Sequence, residues 1–311
     1  MGIHHQHGSD HHGHHHHHHA HGQSLERIGQ AFWLNVVFTV IELIGGAMTN
    51  SVAILADAVH DLGDSLALAF AWYMEKQSRS DFDRESFTYG MRRLSVLSAI
   101  VTGLVLVFGS FLVLIKSVPR VLQPEPASTQ GMIGLAFLGV VVNGVAALRV
   151  QKGTSLNERM LMWHLLEDVF GWLMILVGAI VMNFVDLPIL DPLMAIALSL
   201  WVLWNVVNNL RESLEVFLQR TPRRMKLENV QEFVRSFSPI ESLHHTHLWS
   251  LDGEHHIFTG HLVVHQDVQI QDLALLRQEI KEGLQQQFHI TEATLEIEWP
   301  GQQCWDPEHK A

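Results

Sequence analysis

Two short segments carry histidine and aspartate at helical spacing inside otherwise apolar sequence. In "ADAVHDLGDS", His60 precedes Asp64 by four residues, and in "WHLLEDVFGW", His164 precedes Asp168 by four. On an α-helix each pair lies one turn apart on the same face. Two such helices can offer two nitrogen and two oxygen ligands. That set suits tetrahedral Zn²⁺ and, because it lacks sulfur, also admits Co²⁺ or Cd²⁺.

The elements that must position these pairs are apolar segments with few charges between Ala31 and Leu210. Each approaches the roughly 20 residues that an α-helix needs to cross a bilayer. The alternative, a soluble protein with six buried helices in a row, would need its basic residues to be segregated by accident. We predict six membrane-spanning helices, at about Ala31–Met48, Val52–Met74, Val96–Ile115, Met132–Leu148, Leu161–Met182 and Ile189–Val207.

The basic residues outside the spans predict their orientation. On one side lie Arg27, Lys76, Arg79, Arg84, Arg92, Arg93, Arg149, Lys152, Arg159, Arg211, Arg220, Arg223 and Arg224, and on the other only Lys116 and Arg120. The positive-inside rule places the basic side in the cytoplasm, together with both termini. We therefore predict a multi-pass protein of the cell's inner (plasma) membrane.

The two His-Asp pairs are expected to meet near the middle of the bilayer. His60 lies about 14 Å into the second span, and His164 lies about 14 Å into the fifth from the opposite side, at 1.5 Å per residue. The hydrocarbon core is about 30 Å thick, and transporters bind their substrates near its midplane. For any one of these residues, a structural polar contact between helices is the alternative.

The remaining segments divide the chain into zones. Residues 1–24 form a histidine-rich tail that we expect to be disordered, either an expression tag or a native metal-collecting segment. Residues 25–213 hold the spans, and residues 214–311 show an α-β-β-α-β order that predicts a small α+β domain with helices on one sheet face.

The net charge of −12 argues against nucleic acid as a partner. The single cysteine, Cys304, excludes an internal disulfide and a multi-cysteine zinc cluster.

The segments "LADAVHDLGDSLAL" and "HLLEDVFGWLMILVGAIVM", with six spans and an α+β tail, resemble the cation diffusion facilitator family of zinc transporters. The resemblance covers the chain from about residue 27 to 299. It implies a six-helix transmembrane domain followed by a ferredoxin-like cytoplasmic domain, and proton-coupled export of Zn²⁺ by a homodimer. It also implies that His60, Asp64, His164 and Asp168 hold the metal, and that histidine in the span-two pair favours zinc over cadmium and disfavours manganese and iron.

The tail domain resembles the family as well. "LHHTHLW" is similar to a segment whose first histidine, here His244, binds zinc with His261 and Glu298 as partners. Such a site is expected to sense cytoplasmic zinc and tighten the dimer. From the residues alone, strand alternation puts His245 and His247 on one face and His244 on the other. Partly exposed sheet residues without a metal are the alternative for each histidine.

Other polar residues in the spans have less specific roles. Asp57 either orients a metal ligand, or lies on the proton path, or makes a helix-packing contact, and Glu167 lies to one side of the second pair. Four further residues either line a cavity or bridge helices, namely Asn35, Glu42, Asn143 and Asp191.

These observations predict a Zn²⁺/H⁺ antiporter and not an enzyme, so no catalytic residue is assigned. Metal ligands must lose protons to bind, which links zinc binding to proton release. An intramembrane zinc-dependent hydrolase, with Glu167 as its base, is the main alternative. Four ligands leave no position for a catalytic water, however, and the sequence contains no H-E-x-x-H motif. A passive channel or a metal-sensing receptor is the third possibility.

Overall fold

The computed structural model describes residues 18–78, 86–150 and 156–302 together with Cys304. Within the helices, the side chains of residues 18–28, 149–150 and 156–164, and those of Glu75, Gln77 and Ser78, lie outside the description. Six long helices are followed by a smaller unit with the order α-β-β-α-β. The predicted architecture, a helical transmembrane domain followed by a small α+β domain, is confirmed.

The six long helices contain nearly all of the predicted spans. They are α1 (His18–Thr49), α2 (Val52–Ser78), α3 (Arg93–Leu122), α4 (Thr129–Val150), α5 (Leu156–Phe184) and α6 (Leu190–Phe217). The first helix begins earlier than expected, so residues 18–24 are helical where we expected disorder. No proline interrupts this stretch, and each residue added to an existing helix gains a hydrogen bond at little cost. Residues 1–17 of the histidine-rich tail lie outside the described residues.

The outer surface of this helical domain is apolar. Five helical segments among the described residues are long and apolar enough to cross a membrane: Gly29–Thr49, Arg93–Leu122, Thr129–Leu148, Leu165–Phe184 and Leu190–Phe217. Large side chains such as Phe137 and Trp204 are 61% and 73% exposed, as expected for contact with lipid. The helix α2 has the length but not the apolar composition, because its middle carries Asp57, Asp61 and Asp64.

The helices pack mainly in pairs, α1 with α2, α3 with α6, and α4 with α5. The helix α2 also packs along α3 and α6, so that it lies inside the bundle. By contrast, among the described residues α2 and α5 approach each other over only a short stretch. The buried core of the bundle includes Ile54 of α2, Met132 of α4, Trp172 and Ile175 of α5 and Met194 of α6.

Polar contacts fix the position of α2. The Ser51 hydroxyl donates to Oδ1 of Asp191 over 2.6 Å, and the backbone N–H of Val52 donates to Oδ2 of Asp191 over 2.8 Å. A carboxylate from α6 therefore satisfies the otherwise unpaired start of α2. Similarly, Asn35 of α1 donates to the carbonyl of Asp61 over 3.1 Å. Asp191 and Asn35 thus bridge helices, whereas Asn143 is half-buried in α4.

The tail domain is built on a three-stranded sheet. Its elements are α7 (Leu227–Arg235), β1 (Ile240–Ser250), β2 (His256–Val264), α8 (Ile270–Phe288) and β3 (Ile290–Glu298). The strand β2 is central, antiparallel to β1 and parallel to β3. Leu243 and Leu262 form a core with Ile280 and Leu284 of α8. Since side chains alternate along a strand, their neighbours His244 and His261 point to the opposite face.

A bulge in β1 makes one part of a sequence prediction wrong, the separation of His244 from His245, although His245 and His247 do lie together with ring centroids 4.9 Å apart. The pairing of β1 with β2 shifts register between His244 and His247, and His245 has a positive φ of 50°. The rings of His244 and His245 both lie beside the ring of His261, with centroids 5.3 Å and 4.9 Å away. The extra residue of a bulge breaks the period of two on which the predicted separation of His244 from His245 depended.

Candidate metal centres

The structure brings together three of the four residues predicted as transmembrane ligands. Nε2 of His60 lies 3.8 Å from Oδ2 of Asp64 and 3.7 Å from Oδ1 of Asp168. One potential ligand atom from each residue lies within 4.8 Å of the other two. His60 and Asp64 come from α2 and Asp168 from α5, so the cluster forms at the short contact between these helices.

These separations suit a zinc ion. With metal–ligand bonds of about 2.0–2.3 Å, two ligand atoms of a tetrahedral site lie roughly 3.3–3.8 Å apart. The larger values belong to sulfur ligands; for nitrogen and oxygen ligands the range is roughly 3.3–3.6 Å, and the observed 3.7 Å and 3.8 Å exceed it by only about 0.1–0.2 Å. One imidazole and two carboxylates can therefore bind one divalent ion without a large rearrangement.

The fourth predicted ligand, His164, belongs to α5 and precedes Asp168 by one turn. Its side chain lies outside the described residues, so its position relative to the cluster stays a prediction. The helical spacing alone places it on the same side of α5 as Asp168.

A small cavity adjoins the three residues. Its volume is about 10 Å³, which is room for about one water molecule or one bare ion. Asp57 and Glu167 line this cavity, as do His60 and Asp168. The two residues predicted as neighbours of the ligands therefore both face the same small space.

A second cluster, the buried acidic triad, lies next to the first. It consists of Glu42 of α1 and Asp57 and Asp61 of α2, which have carboxylate oxygens within 4.8 Å of one another. All three side chains are buried, and Glu42 is only 1% exposed. Asp57 belongs to the triad and also lines the cavity beside His60, so it connects the two clusters.

Three buried carboxylates at this distance need positive charge or protons. Each ionised pair repels by at least about 3.5 kcal/mol at separations up to 4.8 Å and an effective dielectric constant of 20. Between Arg27 and Lys76 the sequence contains no lysine or arginine, so the parts of α1 and α2 that surround the triad supply no permanent cation. A positive charge on the neighbouring ligand cluster would therefore reduce the repulsion within the triad.

The tail domain carries a third cluster, on the sheet face away from α8. His261 Nδ1 lies 2.8 Å from Oε1 of Glu298, and His244 Nε2 lies 3.3 Å from Oε2 of the same carboxylate. The Glu298 side chain is almost fully buried, although it ends in a carboxyl group. The structure thus brings together all three residues predicted as tail-domain ligands.

Cys304 joins this cluster. Its Sγ lies 3.5 Å from Nδ1 of His261, and the potential ligand atoms of Cys304, His244, His261 and Glu298 all lie within 4.8 Å of one another. On the other side of the His261 ring, Nε2 lies 3.6 Å from Oε2 of Glu296.

Sequence reasoning missed several of these residues for identifiable reasons. Asp61 lies about 100° round the helix from His60, so the helical period excluded it from the ligand face but could not show that it faces Glu42. Cys304 is the single cysteine, so no cysteine spacing in the sequence indicates a ligand role for it. The signal that could have found it is the turn-forming pair Pro300-Gly301, which follows β3 and reverses the chain.

Two sequence families cover almost the whole chain. Residues 30–218 match the family described as the cation efflux transmembrane domain. Residues 222–299 match the family described as the cation efflux protein, cytoplasmic domain. The matched segments correspond to the helical bundle and to the α+β tail.

Several curated proteins are similar along most of their length. A zinc transporter, ZitB, of Pectobacterium atrosepticum is 31% identical over 91% of this chain and 88% of its own. The cadmium, cobalt and zinc/H(+)-K(+) antiporter of Bacillus subtilis is 27% identical over 84% and 85%. The metal cation efflux system protein CzcD of Cupriavidus metallidurans is 28% identical over 86% and 84%.

Proposed function

The chain belongs to the cation diffusion facilitator family of cation efflux proteins, and on that basis we propose that it is a Zn²⁺/H⁺ antiporter that exports Zn²⁺ from the cytoplasm. The observation that carries this proposal is the meeting of His60, Asp64 and Asp168 across α2 and α5. A site shared by two membrane helices that otherwise touch little is suited to an ion that must be released again.

His60, Asp64, His164 and Asp168 are the proposed ligands of the transported ion. Two imidazole nitrogens and two carboxylate oxygens complete a tetrahedron, the coordination that Zn²⁺ prefers. The same donors accept Cd²⁺ or Co²⁺, and relatives are named for transport of all three metals. Zinc is therefore the main proposed substrate, with cadmium and cobalt as secondary ones.

Proton coupling follows from the ligand chemistry and the charges beside it. Imidazole must lose its proton to bind the metal, and regains it when the metal leaves. The buried acidic triad gives the released protons a place to go within the protein. Asp57 connects the triad to the ligand cavity, and Glu167 lines the same cavity from α5. We propose these two residues as the proton path.

The proposed location is the inner (plasma) membrane, with both termini in the cytoplasm. The distribution of basic residues supports this orientation. The match of residues 222–299 to a cytoplasmic domain supports a cytoplasmic tail. We also propose that the protein acts as a homodimer and that His244, His261 and Glu298 bind a regulatory zinc ion.

An intramembrane zinc-dependent hydrolase is a poorer explanation of this site. A catalytic zinc ion usually keeps one position open for water, whereas the proposed ligands would fill all four. The cavity beside the ligands has room for about one water, not for a peptide or lipid substrate. The relatives described above are named transporters.

Zinc flux into proteoliposomes tests the proposal. An imposed pH gradient should drive zinc uphill in the wild-type protein, which a passive channel cannot do. The variants His164→Ala and Asp64→Asn should lose at least about 90% of the flux, since each removes a ligand. The matched control is Asp186→Asn, an exposed aspartate between α5 and α6. Wild-type flux in both ligand variants would contradict the assigned site.

A further inference from the structure

We propose that the Cys304 thiolate is the fourth ligand of the tail-domain zinc site, together with His244, His261 and Glu298. This inference deepens the regulatory site proposed above and does not depend on the transport site. It gives the tail domain a complete set of four ligands from a single chain, with one sulfur among them.

The distances around His261 support this assignment. Ligand atoms of a tetrahedral zinc site lie roughly 3.3–3.8 Å apart, with the larger values for pairs that include sulfur. Sγ of Cys304 is 3.5 Å from Nδ1 of His261, and Oε2 of Glu298 is 3.3 Å from Nε2 of His244. The separation of 2.8 Å between His261 and Glu298 is shorter, and it is a hydrogen bond that a metal would replace.

The chain reaches this position by a defined turn. The backbone N–H of Gln302 donates to the carbonyl of Trp299 over 3.0 Å, and Gly301 has a positive φ of 82°. Proline followed by a glycine with positive φ is the signature of a type II turn. The turn reverses the chain directly after β3, so Cys304 returns to the sheet face on which Glu298 lies.

The charges at the cluster also favour a divalent metal. Glu298 is 4% exposed, and among the described residues its ion-pair partners are His244 and His261. A thiolate and a carboxylate together neutralise the two charges of Zn²⁺. On binding, the S–H bond of Cys304 breaks, an S–metal bond forms and the proton leaves to solvent.

The donor set narrows the choice of metal. Two imidazoles, one carboxylate and one thiolate suit Zn²⁺, Cd²⁺ and Co²⁺, whereas Mg²⁺ and Ca²⁺ prefer oxygen ligands. Glu296 lies 3.6 Å from the second nitrogen of His261, where it can hold that ring with Nδ1 towards the metal. Four protein ligands close the site, so it is suited to retaining an ion and not to catalysis.

The chain offers a direct test because Cys304 is its only cysteine. The rate of alkylation of the full-length protein in detergent therefore reports on this thiol alone. Zinc should slow alkylation by at least about tenfold relative to a chelator, since the metal occupies the sulfur lone pair that reacts. Mg²⁺ should have no effect.

Matched variants separate this site from other zinc-binding groups. His244→Ala should lose most of the protection, whereas His265→Ala, which changes an exposed tail histidine, should keep it. The double variant Asp64→Asn/Asp168→Asn should also keep it, because the transport site is not involved. Equal protection in the His244→Ala variant and wild type, or none in wild type, would overturn the proposal.

A spectroscopic measurement does not depend on alkylation or on the folding of His244→Ala. Cobalt bound to a thiolate gives a sulfur-to-metal charge-transfer band in the ultraviolet, which histidine and carboxylate ligands cannot produce. The band should appear in the wild-type protein and in the transport-site double variant, and it should be absent from Cys304→Ser. A cobalt-loaded wild-type protein without this band would contradict ligation by Cys304.

Discussion

Nε2 of His60 in α2 lies 3.7 Å from Oδ1 of Asp168 in α5, although the two helices share only a short contact. An ion at this point would hold together two helices that have little other packing between them in the part of the chain that the structure describes. Binding or release of the ion should therefore change the strength of the contact between α2 and α5.

Zinc should stabilise the purified protein in a way that depends on Asp168. A ligand at about 100 times its dissociation constant adds about 2.7 kcal/mol to the free energy of unfolding. We expect zinc to raise the melting temperature in detergent, and Asp168→Asn to remove the part due to the transport site. The increase should persist in His244→Ala, where only the tail site is altered. An unchanged zinc effect in Asp168→Asn would be inconsistent with a role for this carboxylate.

The variant Glu42→Gln should weaken proton coupling more than zinc binding. Glutamine keeps the shape of the side chain but can carry neither the charge nor the exchangeable acid proton, so pH-driven flux should fall by at least about fivefold. Zinc affinity should change by less than about threefold, because Glu42 belongs to the acidic triad and not to the ligand cluster.

The control for this variant is Thr39→Val, a buried change one turn away on the same helix. Flux at several imposed pH gradients measures the coupling directly. A Glu42→Gln protein with wild-type dependence on the gradient would show that the triad has no part in proton movement.

Gly139→Ala should destabilise the transmembrane domain. A Cβ at this position of α4 would lie 2.2 Å from a ring carbon of Trp172, which is buried in α5 one turn beyond Asp168. Such overpacking typically costs about 1–3 kcal/mol, and it should also displace Asp168 and lower zinc affinity.

The matched change is Gly134→Ala on the same helix, where a Cβ would meet no atom within 4 Å. It should leave stability unchanged or raise it by up to about 1 kcal/mol, because alanine is the better helix former. Thermal unfolding in detergent compares the two, and equal melting temperatures would argue against close packing of α4 on α5.

The tail domain should lose stability as the pH falls below neutral, partly through His256. Burial lowers the pKa of His256, and among the described residues its buried Nδ1 has no hydrogen-bond partner. The unfolded chain takes up the proton at a pH of about 6.5, and the folded chain only at lower pH. Acidification through this range therefore favours unfolding.

The variant His256→Gln should reduce the fall in melting temperature of the full-length protein between about pH 7.5 and 5.5. His265→Gln, at an exposed position in the same domain, should not reduce this fall.

Asp252 affects the stability of the tail domain at lower pH. Partial burial would raise its pKa, but hydrogen bonds from His255 and Glu254 lower the pKa overall. The contribution of Asp252 to the free energy of unfolding is complete above a pH of about 4. It is lost as the pH falls through the pKa of Asp252 in the folded protein.

The sequence predicted the elements of the fold because apolar length and strand alternation are local properties. It also predicted that His60 and Asp168 would approach each other, because depth along a helix follows from residue number. The meeting of Glu42 with Asp57 and Asp61 could not be predicted, since it depends on how α1 and α2 are rotated about their axes. The contact of both His244 and His245 with His261 depends on a bulge, which the period of two cannot indicate.

The acidic content of α2 has a consequence for biogenesis. An aspartate at the centre of an isolated helix costs about 3 kcal/mol on translocon insertion scales, and this helix carries three. Only Asn50 and Ser51 separate it from α1, whose Glu42 meets two of these aspartates in the folded bundle. We therefore expect the nascent chain to enter the bilayer with α1 and α2 together as a hairpin, and a translocation assay on α2 alone to give poor integration.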